Sequence, residues 1–379
     1  MGRYISVPFS IFHFQFSSGA MQRLMARAWV EVDLGALVRN GERFARAAAV
    51  PLVPMVKADG YGLGAVRVAR ALLDLNPWGF GVATVDEGQE LRRIGIALPI
   101  LVFSPLVPQQ FDAVRRAQFR PVLGDRTSIE RWTLTGEPWH LAIDTGMNRA
   151  GVSWREVASL RDLVTAHPPE GVCTHFHSAQ LPNGSREEQE TRFAGAIAQL
   201  PVKPTLLHAD NSAAIEHRAP SPYQLARPGI FLYGVGSGHG ATFEPEPVVA
   251  VRGRIVEMRN LREGDTVGYD ASWRAASGGR IATVSLGYAD GYRRGLGNRA
   301  TALINGERAP VVGFVTMDMT MVDVTDKKCG VGDIVTFIGR DGDAVLTVQE
   351  VAEAGGLSPY ELLTGLRGRL PRLYVGDSA

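Results

Sequence analysis

Short apolar runs alternate with amphipathic segments from Trp29 to about residue 240. The apolar runs include VPMVKA at 53–58, WGFGVATV at 78–85 and HLAIDTG at 140–146. Each is followed by a stretch in which apolar residues recur every three or four positions, and a strand followed by a helix, repeated, indicates parallel strand pairing. About seven or eight such units can be counted, which fits a closed barrel better than an open sheet. The pattern therefore predicts an α/β fold that begins with a (β/α)8 TIM-type barrel over residues 26–243.

The pattern changes after Pro245 to runs of β-forming residues separated by turn sequences. Examples are VVAVRGRIVEMRNL at 248–261 and GRIATVSLGYAD at 279–290. These runs predict a smaller, mainly β domain over residues 244–379. Near the end, GLSPYELLTGLRGRL predicts one short helix with Ser358 as its N-cap and Pro359 as its first residue.

Residues 1–25 form a separate leader in this interpretation. They resemble a signal peptide only faintly, because Pro8, His13 and Gln15 interrupt the apolar stretch. The stretch is also too short to cross a bilayer as a helix. We expect a disordered or non-native leader, with Met21 and Met25 as alternative starting positions.

The charge balance of the chain limits the classes of binding partner, and its cysteines indicate the redox compartment. Forty lysine and arginine residues stand against 39 aspartate and glutamate residues, so no overall field attracts nucleic acid or a membrane surface. Small molecules are therefore the expected partners. Cys173 and Cys329 are the two cysteines of the chain. They rule out a disulfide framework and a cysteine zinc cluster, and they fit a reducing compartment. The sequence predicts a cytoplasmic enzyme.

Lys57 ends the first clear strand, in VPLVPMVKADGYGLGAV at 50–66. In a (β/α)8 barrel, the loops at the carboxyl ends of the strands build the site. An ammonium group beside Val53, Met55 and Val56 is costly unless it is paired or its pKa falls, and a neutral amine can form a Schiff base. The glycines that follow allow backbone N–H groups to approach an anion, although the spacing is neither GxGxxG nor Walker. A lysine that reaches past the strand end into solvent is the alternative, and the residues alone leave both open.

Eight motifs, in order along the chain, resemble those of the alanine racemase family. They span about residues 29–372 and both expected domains, and an ordered series is far more specific than a single match. The motifs are VKADGYGLG at 56–64, IDTGMNRAG at 143–151, THF at 174–176, HADNSA at 208–213, ARPGIFLYG at 226–234, VGYDASW at 267–273, SLGYADGY at 285–292 and TMDM at 316–319.

The resemblance implies that pyridoxal 5′-phosphate is the cofactor, bound to Lys57 as a Schiff base. By the same resemblance, the hydroxyl of Tyr61 donates to the cofactor phosphate. Ser212 and the backbone of Gly229 and Ile230 are expected to hold that phosphate, since small residues allow a close approach and N–H groups attract the charge.

The resemblance further implies that Arg227 faces the pyridine nitrogen of the cofactor. An arginine keeps its charge and so disfavours protonation of that nitrogen, which weakens the ring as an electron sink. Racemisation needs one acid/base group on each face of the α-carbon, and the family assigns these roles to Lys57 and to a tyrosine, here Tyr269, from the partner subunit of a dimer. His175 is expected to link Arg227 to Tyr269 by hydrogen bonds. Because an ordinary tyrosine pKa of about 10 is high for a base, nearby positive charge must assist Tyr269.

On the substrate side, the resemblance implies that Arg149 and the backbone of Met317 bind the carboxylate, with Asp318 beside them. Tyr288 is expected to line the access channel.

Two positions depart from the family pattern. Ala142 stands where several relatives have a carbamylated lysine that steadies the carboxylate-binding arginine, so Arg149 must be oriented by His140, a bound anion or water. Gly368 stands where the alignment of LPR at 370–372 places a phosphate-side tyrosine of some relatives, and its lost hydroxyl leaves specificity for alanine over serine less secure.

Three other functions fit the sequence less well. A pyridoxal-phosphate decarboxylase of the same two-domain plan is expected to have a carboxylate in place of Arg227 and a GGG loop, which the chain lacks. A metal-dependent hydrolase built on His175 and His177 leaves Lys57 unused and lacks further ligands. A non-catalytic pyridoxal-phosphate carrier lacks a β domain. The sequence therefore predicts a cytoplasmic, homodimeric alanine racemase that supplies D-alanine for peptidoglycan, with a broader alanine/serine racemase as the close alternative.

Overall fold

The computed structural model of the chain describes residues 25–376. The expected leader therefore lies, except for Met25, outside the described residues. Within them, no helix is both long and apolar enough to span a bilayer. The first strand, β1 (Ala28–Asp33), is followed directly by helix α1 (Leu34–Ala48), which Asp33 caps by accepting a hydrogen bond from the Ala36 N–H at 2.8 Å.

A parallel β-barrel occupies the N-terminal part. Its strands lie in the order β2-β3-β4-β5-β7-β8, and the short strand β6 pairs with the end of β5. The bounds are β2 Phe80–Val82, β3 Ile100–Val102, β4 Arg120–Leu123, β5 His140–Asp144, β6 Val152–Ser153, β7 Gly171–Cys173 and β8 Leu206–His208.

Two segments without regular strand structure close this barrel. Leu52 forms a parallel bridge with Ala226, and Met55 forms one with Gly81 in β2. The Leu225 N–H in turn donates to the Leu207 carbonyl of β8 at 3.2 Å. Eight chain segments thus form the wall of the barrel, which confirms the predicted (β/α)8 architecture.

Helices of five to thirteen residues lie between and after these segments, as the alternating pattern predicts. Their bounds are α2 Lys57–Tyr61, α3 Ala65–Leu72, α4 Val85–Arg93, α5 Phe111–Arg116, α6 Arg126–Thr133, α7 Arg161–Ala166, α8 Ser185–Ile197 and α9 Ser212–His217. Side chains from five of the eight barrel segments form a buried cluster, which is Val53, Leu101, Val122, Cys173 and Leu225. A (β/α)8 barrel is filled in this way, so its site lies at the strand ends.

The C-terminal part is built on a nine-stranded sheet in the order β14-β13-β16-β9-β1-β18, with β12, β15 and β17 attached beside this path. Its bounds are β9 Val249–Leu261, β10 Thr266–Val267, β11 Trp273–Arg274, β12 Gly279–Val284, β13 Thr301–Ile304, β14 Glu307–Pro310, β15 Thr320–Asp323, β16 Ile334–Asp341, β17 Ala344–Leu346 and β18 Arg372–Val375. The helices α10 (Val348–Gly355) and α11 (Pro359–Thr364) follow β17, and Ser358 caps α11 as expected.

The position of β1 differs from the expectation that residues 26–243 belong to the barrel. β1 pairs antiparallel with β9 and parallel with β18, so it is a central strand of the C-terminal sheet. Its pairing partners lie more than two hundred residues away, and the local apolar pattern of a strand carries no information about its partner.

Candidate active site

A cavity of about 440 Å³ opens at the carboxyl ends of the barrel strands. This is where a barrel of this kind builds its site. Eight of the residues predicted from the sequence line the cavity together: Lys57, Tyr61, Arg149, His175, Ser212, Arg227, Gly229 and Ile230.

Lys57 begins the short helix α2, which contains a left-handed turn. Ala58, Asp59, Gly60 and Tyr61 all have φ between 52° and 60°. For residues other than glycine, this conformation costs roughly 1–2 kcal/mol each. Lys57 therefore does not end a regular strand, as the sequence suggested, but stands two residues after the last paired residue, Met55.

Hydrogen bonds from outside the turn hold this strained backbone. The Ala58 N–H donates to Glu87 Oε1 at 2.7 Å, and Asp59 Oδ1 accepts from the Ala65 N–H at 2.8 Å. Gly62 closes the turn with φ 84°, and a Cβ at this position would lie 2.4 Å from the Leu363 carbonyl oxygen. Strain that persists because its surroundings enforce it is typical of functional sites.

The surroundings of Lys57 favour its neutral form. Burial, and after it the positive charge of Arg149, lower the pKa of Lys57 from its ordinary value; Arg227 acts in the same direction and Glu87 opposes them. A neutral amine is the form that can attack a carbonyl. The direction of this shift agrees with the expectation from the apolar neighbours.

Tyr61, Gly229 and Ser212 lie together on one side of the cavity. Tyr61 stacks on Tyr233 with ring centroids 4.4 Å apart, and burial raises its pKa, so its hydroxyl remains protonated. A Cβ on Gly229 would lie 2.4 Å from the Tyr61 hydroxyl oxygen, so the approach requires glycine. The Gly229 N–H donates to Ser212 Oγ at 2.9 Å, which leaves the Ser212 hydroxyl hydrogen for another acceptor. Asn211, rather than Ser212, caps helix α9.

Arg227 is buried in the cavity wall. Its Nη2 donates to the Thr174 carbonyl at 2.7 Å and to the Ala209 carbonyl at 3.2 Å, and its Nη1 lies 2.7 Å from His208 Nδ1. The Arg227 Cζ lies 5.7 Å from the centroid of the Phe103 ring. Four neighbours thus fix the plane of a cation that faces the same cavity as Lys57.

His175 lines the cavity but is uncharged at neutral pH. Burial, followed by the charges of Arg227, Arg149 and Lys57, lowers the pKa of His175 to about 3. In the part of the chain that the structure describes, its ring makes no hydrogen bond to Arg227. The expected link from Arg227 through His175 is therefore not formed within one chain, and His175 contributes no positive charge.

Arg149 reaches the cavity without a fixed partner. Across residues 25–376, its guanidinium has no hydrogen bond or ion pair. Ala142 lines the same cavity and supplies no polar atom from its side chain. His140, proposed from the sequence as an orienting group for Arg149, instead contacts His208 Nε2 at 2.8 Å and Glu170 Oε2 at 3.4 Å. The expectation for His140 was therefore wrong, because its side chain points into the barrel interior.

Tyr360 is a site residue that the sequence reasoning missed. It lines the cavity, with its ring centroid 6.1 Å from that of Tyr61. The alignment on LPR placed the missing tyrosine at Gly368, which has no atom within 4 Å of an added Cβ. Tyr360 therefore brings a tyrosine hydroxyl to this cavity from the first turn of α11. The Ser358–Pro359 helix start, already visible in the sequence, was the signal that could have located it.

The four candidates of the C-terminal domain do not line the cavity of their own chain. Tyr269 is 68% exposed, Met317 54% and Tyr288 37%, and the side chain of Asp318 is 49% exposed. Tyr288 and Met317 are adjacent, because the Ala289 N–H donates to the Met317 carbonyl at 2.9 Å. Asp318 Oδ1 accepts from Arg369 Nη2 at 2.7 Å. The barrel-side and β-domain candidates thus form two separate groups within one chain.

No group of three or more histidine, cysteine, aspartate or glutamate side chains in residues 25–376 is arranged to hold a metal ion. His177, the second histidine of the HxH pair, contacts Ser178 Oγ through its Nδ1 at 2.8 Å. The reactive and charged groups that line the cavity include the Lys57 amine, the guanidinium groups of Arg149 and Arg227, and several hydroxyl groups.

Comparisons with known proteins agree with this geometry. The family model "Alanine racemase, N-terminal domain" matches residues 32–237, and "Alanine racemase, C-terminal domain" matches residues 248–374. The alanine racemase of Symbiobacterium thermophilum is 39% identical over 376 residues, covering 94% of this chain and 99% of that protein. The alanine racemase of a Nostoc species is 36% identical over 370 residues, covering 92% and 96%.

Solved structures give the same result. Alanine racemase from E. faecalis aligns with a TM-score of 0.86 and 30% identity, covering 92% of this chain and 98% of that one. Alanine racemase from Bartonella henselae, solved with covalently bound pyridoxal phosphate, aligns with a TM-score of 0.86 and 30% identity, covering 92% and 100%. Both family models, the curated relatives and the solved structures point the same way, and the chain belongs to the alanine racemase family.

Proposed function

We propose that this chain is a pyridoxal-phosphate-dependent alanine racemase that interconverts L-alanine and D-alanine by a two-base mechanism. The observation that carries the proposal is the pairing of Lys57 with Arg227 in one cavity. The amine has a lowered pKa, and the cation opposite it is held by neutral acceptors. A decarboxylase of the same plan was expected to have a carboxylate in place of Arg227.

The residues of the cavity fit pyridoxal phosphate. Lys57 supplies the amine for covalent attachment, and the side formed by Tyr61, Ser212 and Gly229 offers two hydroxyl donors around a glycine that admits close approach. Tyr360 brings a third hydroxyl group to that side. When bound, pyridoxal phosphate draws electron density from the α-carbon of an amino acid and so makes its α-proton acidic. The Bartonella henselae relative carries this cofactor covalently bound.

The chain's own residues then move the protons. Lys57 Nζ, whose neutral form its surroundings favour, takes or returns the α-proton on one face of the substrate. We assign the opposite face to the hydroxyl of Tyr269 from a second copy of the chain. Arg227, which keeps its charge, disfavours protonation of the cofactor ring nitrogen and so opposes side reactions that need a long-lived carbanion. Because His175 is neutral, the positive charge that assists Tyr269 comes from Arg227 and Arg149.

Substrate binding is assigned to Arg149 together with Met317 and Asp318 of the second copy. The Arg149 guanidinium lines the cavity and has unused donors within residues 25–376, so it can bind a carboxylate through two parallel hydrogen bonds. Tyr288, adjacent to Met317, is assigned to the access channel.

The separation of the two groups of candidate residues supports a homodimer in which each site is completed by a second copy of the chain. Tyr269, Met317, Met319 and Tyr288 are all exposed large side chains of the C-terminal domain. Exposed apolar side chains of this kind mark interaction surfaces. The product, D-alanine, is assigned to peptidoglycan synthesis by family resemblance, and the unpaired state of Cys173 and Cys329 supports the predicted cytoplasmic location.

The proposal is tested on the purified full-length protein. We expect it to show the absorption band of covalently bound pyridoxal phosphate, to lose that band in Lys57→Ala, and to convert L-alanine to D-alanine. A panel that includes L-serine measures how far specificity extends beyond alanine. Release of carbon dioxide from amino acids by a coloured, racemase-inactive protein would overturn the assignment.

A further inference from the structure

A row of buried polar side chains runs from the cavity through the barrel interior towards its opposite end. Arg227 Nη1 lies 2.7 Å from His208 Nδ1, His208 Nε2 lies 2.8 Å from His140 Nδ1, and His140 Nε2 lies 3.4 Å from Glu170 Oε2. Arg227, His208 and His140 are buried, and the Glu170 side chain is 29% exposed. We call these four residues the Arg227–Glu170 chain.

The strand register shows that this chain crosses a layer of the barrel. In the paired strands, Ala142, Cys173 and His208 stand at one level, whereas His140 and Gly171 stand two residues nearer the amino ends. Glu170 precedes β7 and so lies at the amino-terminal end of the barrel. The chain therefore connects the cofactor side of the barrel with the end that faces away from the site.

Arg227 depends on neutral acceptors. Within residues 25–376, no carboxylate oxygen lies at ion-pair distance from its guanidinium; the acceptors are the carbonyls of Thr174, His208 and Ala209 and the ring nitrogen of His208. A buried charge with an unsatisfied donor is costly. His208 Nδ1 therefore helps to stabilise the buried charge of Arg227 by accepting a hydrogen bond from it.

Hydrogen counting allows one arrangement of this chain. A guanidinium has only donors, so His208 Nδ1 must accept, and a neutral His208 then carries its hydrogen on Nε2 and donates to His140 Nδ1. His140 in turn carries its hydrogen on Nε2 and directs it at the Glu170 carboxylate. Burial lowers the pKa of both histidines, which keeps them neutral.

Glu170 is held as the charged end. Burial opposes ionisation, but hydrogen bonds from His140 and from Arg120, at 3.1 Å, hold the pKa of Glu170 below its usual range. Two aromatic rings enclose the histidines: Trp78 meets His140 edge-on at 5.7 Å and Phe103 meets His208 edge-on at 6.4 Å between centroids. Neither ring offers a competing hydrogen-bond acceptor to the imidazoles.

The geometry points to His208, His140 and Glu170 as positioning residues for Arg227. The Glu170 carboxylate selects the tautomer of both histidines, and the selected tautomer presents to Arg227 the acceptor that fixes its guanidinium in the cavity wall. That Arg227 faces a cofactor ring rests on the function proposed above, whereas the tautomer assignment stands on the hydrogen bonds alone. None of the three residues lines the cavity itself, and their side-chain hydrogen bonds reach the cavity wall through Arg227.

The test is histidine ¹⁵N NMR of the full-length holoenzyme, with the two signals assigned by single substitutions. We expect His208 and His140 to be neutral Nε2–H tautomers between pH 6 and 9. Glu170→Leu, which removes the terminal acceptor, should give mixed tautomers, shift the absorption band of the bound cofactor and lower kcat about 10-fold with a smaller change in KM. Glu170→Gln, whose amide oxygen still accepts, should recover most of the wild-type tautomer signal.

Glu137→Leu is the matched control. This carboxylate precedes β5 at the same end of the barrel, and its side chain makes no hydrogen bond or ion pair in residues 25–376, so tautomers and absorption band should not change. A Nδ1–H or doubly protonated His208 in the wild-type holoenzyme would overturn the proposal. Unchanged tautomers and absorption in Glu170→Leu would also overturn it. A protein that shows the expected tautomers but binds no cofactor would contradict the proposed function instead.

Discussion

At the scale of single residues, the reactivity of Lys57 depends on the charges around it. Because burial and Arg149 lower its pKa, Lys57 should become neutral at a lower pH than an ordinary lysine. The chain has four lysines, so each can be followed separately. In the cofactor-free full-length protein, we expect acetic anhydride to label Lys57 at lower pH than Lys203, as measured by peptide mass spectrometry.

Arg149→Gln is the variant that isolates the charge effect. It removes the second-largest cause of the shift, so the pH midpoint for labelling of Lys57 should rise while that of Lys203 stays the same. Lys57 labelling that requires the same pH as Lys203 in the wild-type protein would contradict the assignment of Lys57 as a neutral nucleophile.

Tyr360 gives a second prediction at this scale. If its hydroxyl donates to the cofactor phosphate, Tyr360→Phe removes a hydrogen bond to a charged group, worth about 1.5–3 kcal/mol. Affinity for pyridoxal phosphate, measured by absorbance titration, should fall roughly 10- to 100-fold. Adding Gly368→Tyr to this variant should not restore affinity, because Gly368 lies outside the cavity lining. Restoration would instead support the sequence alignment that placed the tyrosine at 368.

The sequence predicted which residues line the site, but it did not predict all of their contacts. The eight barrel-side candidates do line one cavity, because the motifs that contain them fall at strand ends. His140 was misassigned because alternation along a strand does not say which of two neighbouring polar groups its side chain meets. His208 stood in a quoted motif without a role, since its partner Arg227 is nineteen residues away.

At the scale of elements, the left-handed turn after Lys57 depends on Glu87. Glu87 Oε1 accepts the Ala58 N–H at 2.7 Å, and Glu87 Oε2 accepts the N–H groups of Ala83 at 2.7 Å and Thr84 at 3.1 Å. Glu87→Ala leaves three backbone donors without this acceptor. We expect a loss of about 2–4 kcal/mol in the free energy of unfolding, measured by urea denaturation, and weaker binding of pyridoxal phosphate.

Thr84→Ala is the matched comparison for the turn. Thr84 Oγ1 caps helix α4 by accepting the Glu87 N–H, so its loss should cost about 0.5–2 kcal/mol while the contact between Glu87 and Ala58 persists. Cofactor affinity should therefore change in Glu87→Ala and not in Thr84→Ala. Equal losses of affinity in the two variants would show that helix α4, rather than the turn, controls the site.

The left-handed conformation of the turn after Lys57 could not be predicted from the sequence. The glycines in VKADGYGLG indicate a turn, but nothing in Ala58 or Asp59 predicts positive φ, which L-residues adopt only when other contacts enforce it. By contrast, the helix over Pro359–Thr364 was predictable because its N-cap and its first residue, Ser358 and Pro359, act locally.

At the scale of the whole molecule, the two-part architecture followed from the change in pattern near Pro245, but the position of β1 did not. Val30 pairs with Val251 of β9 and with Arg372 of β18, so the C-terminal sheet is completed by a strand that precedes the barrel. The barrel therefore begins and ends against the same sheet. The strand that precedes the barrel in the sequence, β1, thus pairs through its main chain with the strand that follows the barrel, β9.

The division of the site between two copies is the last prediction at this scale. Lys57→Ala and Tyr269→Phe affect residues that lie in separate groups of one chain, so a mixed dimer contains one site with both native residues. Random exchange should restore roughly a quarter of wild-type racemase activity from two nearly inactive proteins, because half of the dimers are mixed and each carries one of two sites. Lys57→Ala mixed with Arg227→Glu is the control, since both residues line the same cavity and no mixed site is complete. No recovery after mass spectrometry has confirmed exchange would show that Tyr269 does not serve the site of a partner.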